Sequence, residues 1–230
     1  NIASRGAGIH ITSQSTLILE NVILSNNETN GGEGGGIFAE ATCDVTINNT
    51  QLIGNTSEAN GGAIYYSGGG NDIGSLNITS TLIDSNIAYN AYGGGIFVTG
   101  GGNNSLDNIT IQNSTISNNE VTQGGAGGGL HIRGGASINI LNTVISNNTT
   151  DEQSGAGIYA DEATVNITDS EIFNNVSGAN GGGIYGNQSS LTITNVLISG
   201  NTSNVGGGAY LSYTPAQIVN STIVNNHDEQ

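Results

Sequence analysis

The chain has 230 residues, a formal net charge of −16 and two basic residues, Arg5 and Arg133. This charge argues against a nucleic-acid partner, because binding phosphates needs a basic surface. We also expect no membrane insertion, since no apolar run approaches the roughly 18–20 residues of a spanning helix. The 35% of hydrophobic residues nevertheless favours a packed core over disorder.

One unit repeats eight times along the chain. In chain order each copy has a glycine-rich corner, two short segments in which apolar and polar residues alternate, an aliphatic residue and, three positions later, a closing asparagine. The closing asparagines follow one another at intervals of 25 to 33 residues: Asn27, Asn55, Asn86, Asn119, Asn148, Asn175, Asn201 and Asn226. Such self-similarity predicts a solenoid, in which each unit buries its apolar side chains against the next.

The alternation within a unit predicts strands. Leu191-Thr192-Ile193-Thr194 has the period of two residues that is typical of a β-strand. Successive coils then pair through parallel strands about 4.8 Å apart. We therefore predict an all-β fold, a right-handed single-stranded parallel β-helix of about eight coils with three short strands in each coil. Loop length varies after the closing asparagines and, as insertions after Tyr66 and Thr99, behind the glycine-rich segment, and the longest loops belong to units three to five.

The closing asparagines have a structural role in this prediction. Asparagine tolerates the left-handed backbone of a tight corner, and stacked asparagines can hydrogen-bond from coil to coil as a ladder. A second ladder is expected at Asn21, Asn49, Ser80, Asn113, Asn142, Asp169, Asn195 and Asn220.

A row of aromatic or histidine residues follows the aliphatic residue of each glycine-rich corner. Its members are His10, Phe38, Tyr65, Phe97, His131, Tyr159, Tyr185 and Tyr210. If the preceding aliphatics point inward, alternation sends this row outward, where stacked rings would suit sugars or a partner surface. The alternative is that flanking loops cover the row, or that it packs inside.

The glycine-rich motifs resemble those of known surface proteins. Gly61-Gly62-Ala63-Ile64 is similar to the Gly-Gly-Ala-Ile motif of the chlamydial polymorphic outer membrane proteins, and the Ile-x-x-Asn units resemble their Phe-x-x-Asn repeat. Gly181-Gly182-Gly183-Ile184-Tyr185 is similar to right-handed β-helix repeats of bacterial surface and secreted proteins. This resemblance covers the whole chain and implies a surface-exposed passenger or adhesin.

Catalysis and metal binding find little support in the residues. Glycoside hydrolysis needs two carboxylates at a fixed separation, and Asp169 and Glu171 are two positions apart on one strand side. Asp169, however, occupies the second ladder. His10 and His131 lie four coils apart, about 19 Å on strand spacing, which is too far to share one metal ion. Calcium could bind at acidic corners, although no Asp-x-Asp-x-Asp loop is found. We therefore predict no catalytic residue, no metal site and no cofactor other than calcium.

We expect residues 1–230 to form a single β-helix domain, either a segment of a longer solenoid or a subunit that stacks into a fibre. Its function would be structural or adhesive, at the cell surface or outside the cell. The partners would be flanking coils or further copies end to end, glycans, or surface proteins of a host or neighbour. The alternative is a polysaccharide-active enzyme of the lyase or glycoside hydrolase kind.

Overall fold

A computed structural model describes residues 1–12, 14–40, 42–68, 74–101 and 108–229. These residues form 33 β-strands in four sheets, and all neighbouring strands pair in parallel. No helix in this part of the chain could span a membrane. The predicted all-β right-handed parallel β-helix of about eight coils is confirmed. Much of the two predicted insertions, residues 69–73 and 102–107, lies outside the described residues.

Each coil contributes one strand to each sheet. Sheet I contains β2 (Ile9–Ile11), β6 (Ile37–Ala39), β10 (Ile64–Ser67), β14 (Ile96–Thr99), β18 (Leu130–Arg133), β22 (Ile158–Asp161), β26 (Ile184–Asn187) and β30 (Ala209–Ser212). Sheet II contains β3 (Thr16–Glu20), β7 (Asp44–Asn48), β11 (Ser75–Thr79), β15 (Asn108–Gln112), β19 (Ser137–Leu141), β23 (Thr164–Thr168), β27 (Ser190–Thr194) and β31 (Ala216–Val219).

The other two sheets are built from shorter strands. Sheet III contains β4 (Ile23–Ser25), β8 (Gln51–Ile53), β12 (Leu82–Asp84), β16 (Thr115–Ser117), β20 (Val144–Ser146), β24 (Glu171–Phe173), β28 (Leu197–Ser199) and β32 (Thr222–Val224). Sheet IV contains β1 (Ile2–Ala3), β5 (Glu28–Thr29), β9 (Thr56–Ser57), β13 (Ile87–Tyr89), β17 (Glu120–Thr122), β21 (Thr149–Thr150), β25 (Val176–Ser177), β29 (Thr202–Ser203) and β33 (His227–Asp228).

The prediction of three strands per coil is wrong, because sheet IV adds a fourth strand after each closing asparagine. These strands have two or three residues with a single inward side chain, and several of those side chains are hydroxyls rather than aliphatics. The buried hydroxyls bond to backbone carbonyls: Ser57 Oγ donates to Gly32 O at 2.8 Å, and Thr150 Oγ1 donates to Gln153 O at 2.6 Å. A strand of this kind leaves no apolar alternation in the sequence.

The core is a continuous column of aliphatic side chains. Ile47, Ile78, Ile111, Ile140 and Ile167 of sheet II are fully buried. The aliphatics of sheet III that precede the closing asparagines form a second buried row: Leu52, Ile83, Ile116, Ile145, Ile172 and Ile198. Each buried side chain of this size contributes about 1.5–3 kcal/mol of hydrophobic stabilisation.

The closing asparagines form the predicted ladder inside the corner between sheets III and IV. Asn119 is typical: its Nδ2 donates to Asn148 Oδ1 and to Ile83 O, both at 3.0 Å. Its Oδ1 accepts from the backbone N–H and the Nδ2 of Asn86, at 3.0 and 2.9 Å. The same side-chain bond links every step from Asn1 to Asn226. The asparagine ladder is therefore confirmed.

The sequence predicted left-handed backbone at the closing asparagines. In the structure the residue before each closing asparagine is left-handed instead. Asn118 and Asn147 have φ of 54° and 56°, for example. The closing side chain must point inward to join the ladder, so the preceding residue makes the bend. The second ladder is also left-handed, with φ between 44° and 57°, and three of its steps hydrogen-bond through side chains, at Asn49–Asn21, Asn142–Asn113 and Asn195–Asp169.

The glycine-rich corners allow neighbouring backbones to approach closely. Gly93 is left-handed, with φ of +71°. A Cβ atom on Gly94 would lie 2.4 Å from Glu120 O and 2.6 Å from Gly128 O, both backbone atoms of the next coil. Only glycine therefore fits at this point of the stack.

Candidate functional site

The predicted aromatic row forms one stacked column on the outer side of sheet I. Strand register places each ring beside its counterpart in the next coil. Neighbouring ring centroids lie 4.6 to 5.5 Å apart. The rings are within 24° of parallel in every step except that from His10 to Phe38, where they meet at 72°. The row points outward, as alternation predicted, because the flanking Ile96 and Val98 belong to the buried core and the eight ring residues do not.

The column is more covered than an exposed stripe would be. Phe38, Phe97 and His131 are 5%, 2% and 2% exposed, whereas Tyr65, Tyr159, Tyr185 and Tyr210 are partly exposed and His10 is exposed. Tyr92 lies in the corner before sheet I, and its ring centroid is 6.4 Å from that of Phe97 and 4.6 Å from that of His131. The Arg5 guanidinium lies 5.4 Å from the Phe38 ring centroid. Of the two alternatives that the sequence left open, the exposed row holds for five rings and the covered row for the three that are buried.

The stacking also decides which parts of the rings can meet a ligand. Inside the column each ring face is against another ring, so edges and hydroxyl groups face solvent. Burial raises the pKa of Tyr159 to about 12, and it also raises the pKa of Tyr65 and Tyr185. These hydroxyls therefore stay protonated and can donate hydrogen bonds at neutral pH. Ligand binding by the column stays a prediction, and the groups that could bind a ligand are the exposed tyrosine edges and His10.

His131 is a neutral histidine in the middle of the column. Burial lowers its pKa to about 3. Its Nδ1 lies 3.3 Å from Ala126 O and donates to that carbonyl in the tautomer that protonates this nitrogen. The Phe97 and Tyr159 rings cover its two faces. This histidine packs as an aromatic ring.

We predict that His131 makes the fold acid-sensitive. The unfolded chain takes up a proton near pH 6.5 and the folded chain only near pH 3, so stability present above pH 6.5 is lost as the pH falls toward 3. The loss from this residue should be about 2 kcal/mol at pH 5. His131→Phe should remove it, since Ala126 O still accepts from the Gly93 N–H at 3.0 Å.

Urea unfolding at pH 7 and pH 5 checks this prediction. The parent chain is the reference, and the difference between its loss of stability and that of His131→Phe gives the contribution of His131. An equal loss of stability between the two pH values in His131→Phe and in the parent would show that His131 does not titrate in this way.

A second outward surface lies on sheet II and was not singled out from the sequence. We name the outward side chains of β11, β15, β19, β23 and β27 the polar face. They are Ser75, Asn77, Thr79, Asn108, Thr110, Gln112, Ser137, Asn139, Leu141, Thr164, Asn166, Thr168, Ser190, Thr192 and Thr194. All fifteen are at least partly exposed, fourteen carry hydrogen-bonding groups and none is charged.

The polar face is regular and shallow. Strand register keeps Thr110, Asn139, Asn166 and Thr192 in one row. Asn166 Nδ2 donates to Asn139 Oδ1 at 3.0 Å along this row. A depression of about 310 Å³ lies between the row and its neighbour, which contains Gln112, Leu141 and Thr168. Such a surface can donate and accept many weak hydrogen bonds along one axis.

Of the two carboxylates considered for catalysis, Asp169 is held by a neighbouring asparagine, as is Asp161 on sheet I. Asp169 and Glu171 line an open groove of about 290 Å³ with Asn195 and Thr222. Asp169 Oδ1 accepts from Asn195 Nδ2 at 2.5 Å, as its ladder position predicted. Asp161 Oδ1 accepts from Asn187 Nδ2 at 2.7 Å. Among the described residues, no group of three or more His, Cys, Asp or Glu side chains is placed to hold a metal ion.

The fold and these surfaces define a class, the right-handed parallel β-helix proteins. The chain belongs to the family described as "Right handed beta helix region", which matches residues 1–140 and, in a second match, residues 35–229. No curated protein and no solved structure matches the chain. The more specific resemblance to the chlamydial polymorphic outer membrane proteins is not confirmed.

Proposed function

We propose that this chain is an extracellular, non-catalytic β-helix that adheres to neutral glycans through the polar face. One observation carries the proposal: a chain of net charge −16 has five consecutive coils of sheet II whose outward side chains bear no charge. On sheet II the charged side chains are Glu20 and Asp44, in the first two coils. In the third to sixth coils of the chain another sheet carries an outward charge, such as Asp84, Glu120 or Arg133.

The chemistry of the polar face suits a neutral glycan. Threonine and serine hydroxyls and asparagine amides can each donate and accept, as sugar hydroxyls do. The strands hold these groups in place before binding, so little conformational entropy is lost on association. Rows with a spacing of about 4.8 Å present the same groups again and again, which suits a polymer of similar units. The negative charge of the whole chain disfavours acidic polysaccharides.

In this function the carboxylates have no catalytic role, because Asp169 serves the second ladder. The chain works outside the cell, because surface polysaccharides are found there. Within it, the exposed tyrosine edges of the aromatic column add hydroxyl donors on the adjacent sheet I. End-to-end contact with flanking coils or further copies, and calcium binding, stay predictions in addition to this function.

We expect Thr110→Glu to weaken binding of a neutral oligosaccharide at least tenfold. The substitution puts a charge, which must be desolvated on binding, at the centre of the polar face. The matched control is Thr115→Glu in the same coil, whose side chain points outward from sheet III. Glucan, mannan and galactan hexasaccharides on a glycan array, followed by calorimetry with the one bound most tightly, measure the effect.

Three results would contradict the proposal. The first is no binding of any neutral hexasaccharide by the parent chain, and the second is equal weakening of binding by both threonine variants. The third is release of reducing ends from the same glycans, with or without calcium, that Glu171→Gln abolishes, because the enzyme alternative would then be correct.

A further inference from the structure

The corner between sheets I and II contains residues with left-handed backbone and outward side chains. In the last three coils these are Glu162, Gln188 and Tyr213, with φ of 51°, 47° and 47°. Backbone hydrogen bonds link the three levels, since Glu162 N–H donates to Asn187 O and Gln188 N–H donates to Ser212 O. The three side chains therefore follow one another along the solenoid axis at strand spacing, about 4.8 Å.

Tyr213 is unusual among the tyrosines of the chain. It is 86% exposed, and no described aromatic ring stacks on it. A bulky side chain at positive φ is rare and costs about 1–3 kcal/mol. Its ring contributes no core packing that would offset this cost. The outward direction of its side chain does not depend on its place in the last coil, because Glu162 and Gln188 point outward at the same corner although coils follow both of them.

An open groove runs beside these three residues. It has a volume of about 610 Å³ and is also lined by Thr164, Ser190 and Pro215. Thr164 and Ser190 belong to the first row of the polar face. The groove is therefore continuous with the surface that we propose to bind glycans.

The groups around the groove match a sugar ring. An exposed aromatic face can pack against the apolar face of a pyranose, and neighbouring polar groups can hold the sugar hydroxyls. The Glu162 carboxylate accepts hydrogen bonds, whereas the Gln188 amide and the two hydroxyls both donate and accept. The stacked column on sheet I lacks such a free ring face along most of its length.

We propose that Tyr213 is the stacking platform of a sugar subsite, with Glu162 and Gln188 binding the hydroxyls of one pyranose unit of the glycan. This inference rests on the proposed function and adds the unit-binding position to it. Tyr213 fixes where along the solenoid the glycan is bound, and the polar face supplies contacts along its length.

The test uses the neutral hexasaccharide that the parent chain binds most tightly. Tyr213→Asn removes the ring and keeps a residue that tolerates left-handed backbone, and Tyr213→Phe keeps the ring. We expect at least tenfold weaker binding by Tyr213→Asn and less than threefold weakening by Tyr213→Phe. Melting temperatures no lower than that of the parent chain show that the variants are folded.

The fluorescence of an introduced tryptophan can report binding directly, because the chain contains no tryptophan of its own. In Tyr213→Trp the single indole should change its fluorescence on titration with the hexasaccharide. The control is Phe97→Trp, in which the ring is buried within the stacked column and should not respond.

The outcomes separate this inference from the proposed function. If Thr110→Glu weakens binding while Tyr213→Asn binds like the parent, the subsite is wrong and the polar face stands. Equal weakening by Tyr213→Asn and Tyr213→Phe would assign the effect to the hydroxyl and overturn the stacking role. No binding by the parent chain would remove both proposals.

Discussion

Asn119→Ala is expected to lower the free energy of unfolding by about 3–5 kcal/mol. The substitution leaves the backbone N–H of Asn86, and one hydrogen of its Nδ2, without their acceptor in a fully buried site. Each unsatisfied buried group costs about 1–3 kcal/mol. It also removes the donor to Asn148 Oδ1 and Ile83 O. The ladder thus explains why asparagine occupies the closing position in all eight units.

Urea unfolding followed by far-ultraviolet circular dichroism measures the loss. The matched control is Asn77→Ala, which truncates an outward, partly exposed asparagine of the polar face and should change stability by less than about 0.5 kcal/mol. Similar losses in the two variants would mean that the ladder bonds contribute no more than a surface side chain does.

Ile111→Ala is expected to cost about 2–5 kcal/mol, because it opens a cavity in the middle of the aliphatic column. Ile111 is fully buried and pairs in register with Ile78 and Ile140. The control is the same substitution at Ile18, which points outward from β3 and is 65% exposed. The same unfolding experiment should show a loss below about 0.5 kcal/mol for Ile18→Ala. Equal effects would contradict the inward direction assigned to the repeated aliphatics.

Much of the fold could be predicted because it depends on side chains that repeat. The aliphatic at Ile116 and the closing Asn119 recur in every unit, so their stacking follows once coils are placed in register. The fourth strand could not be predicted, since Ser57 or Thr150 inside a two-residue strand gives no alternation. The left-handed residue was misplaced by one position because asparagine suits both positions, as at Asn118 and Asn119. Gly54 and Gly200, which precede closing asparagines in other units, were the signal for the correct position.

The candidate site was predicted less completely. Alternation correctly sent the row from His10 to Tyr210 outward. The covering of Phe97 and His131 by Tyr92 could not be foreseen, because Tyr92 comes from a corner outside the repeated motif. The polar face is visible only when strands of different coils are aligned, since its lack of charge is a property of neighbouring strands. The positive φ of Tyr213 leaves no mark in the sequence, because glutamate, glutamine, threonine and glycine occupy equivalent corners.

The position of a bound glycan on the solenoid tests most directly whether the polar face binds it. Amide chemical shifts of the isotope-labelled chain, recorded during titration with the neutral hexasaccharide it binds most tightly, locate the contact residue by residue. We predict that the largest changes fall on Thr110, Asn139, Asn166 and their neighbours on sheet II, and on Tyr213. Changes confined to sheet III or sheet IV, with sheet II unaffected, would contradict it.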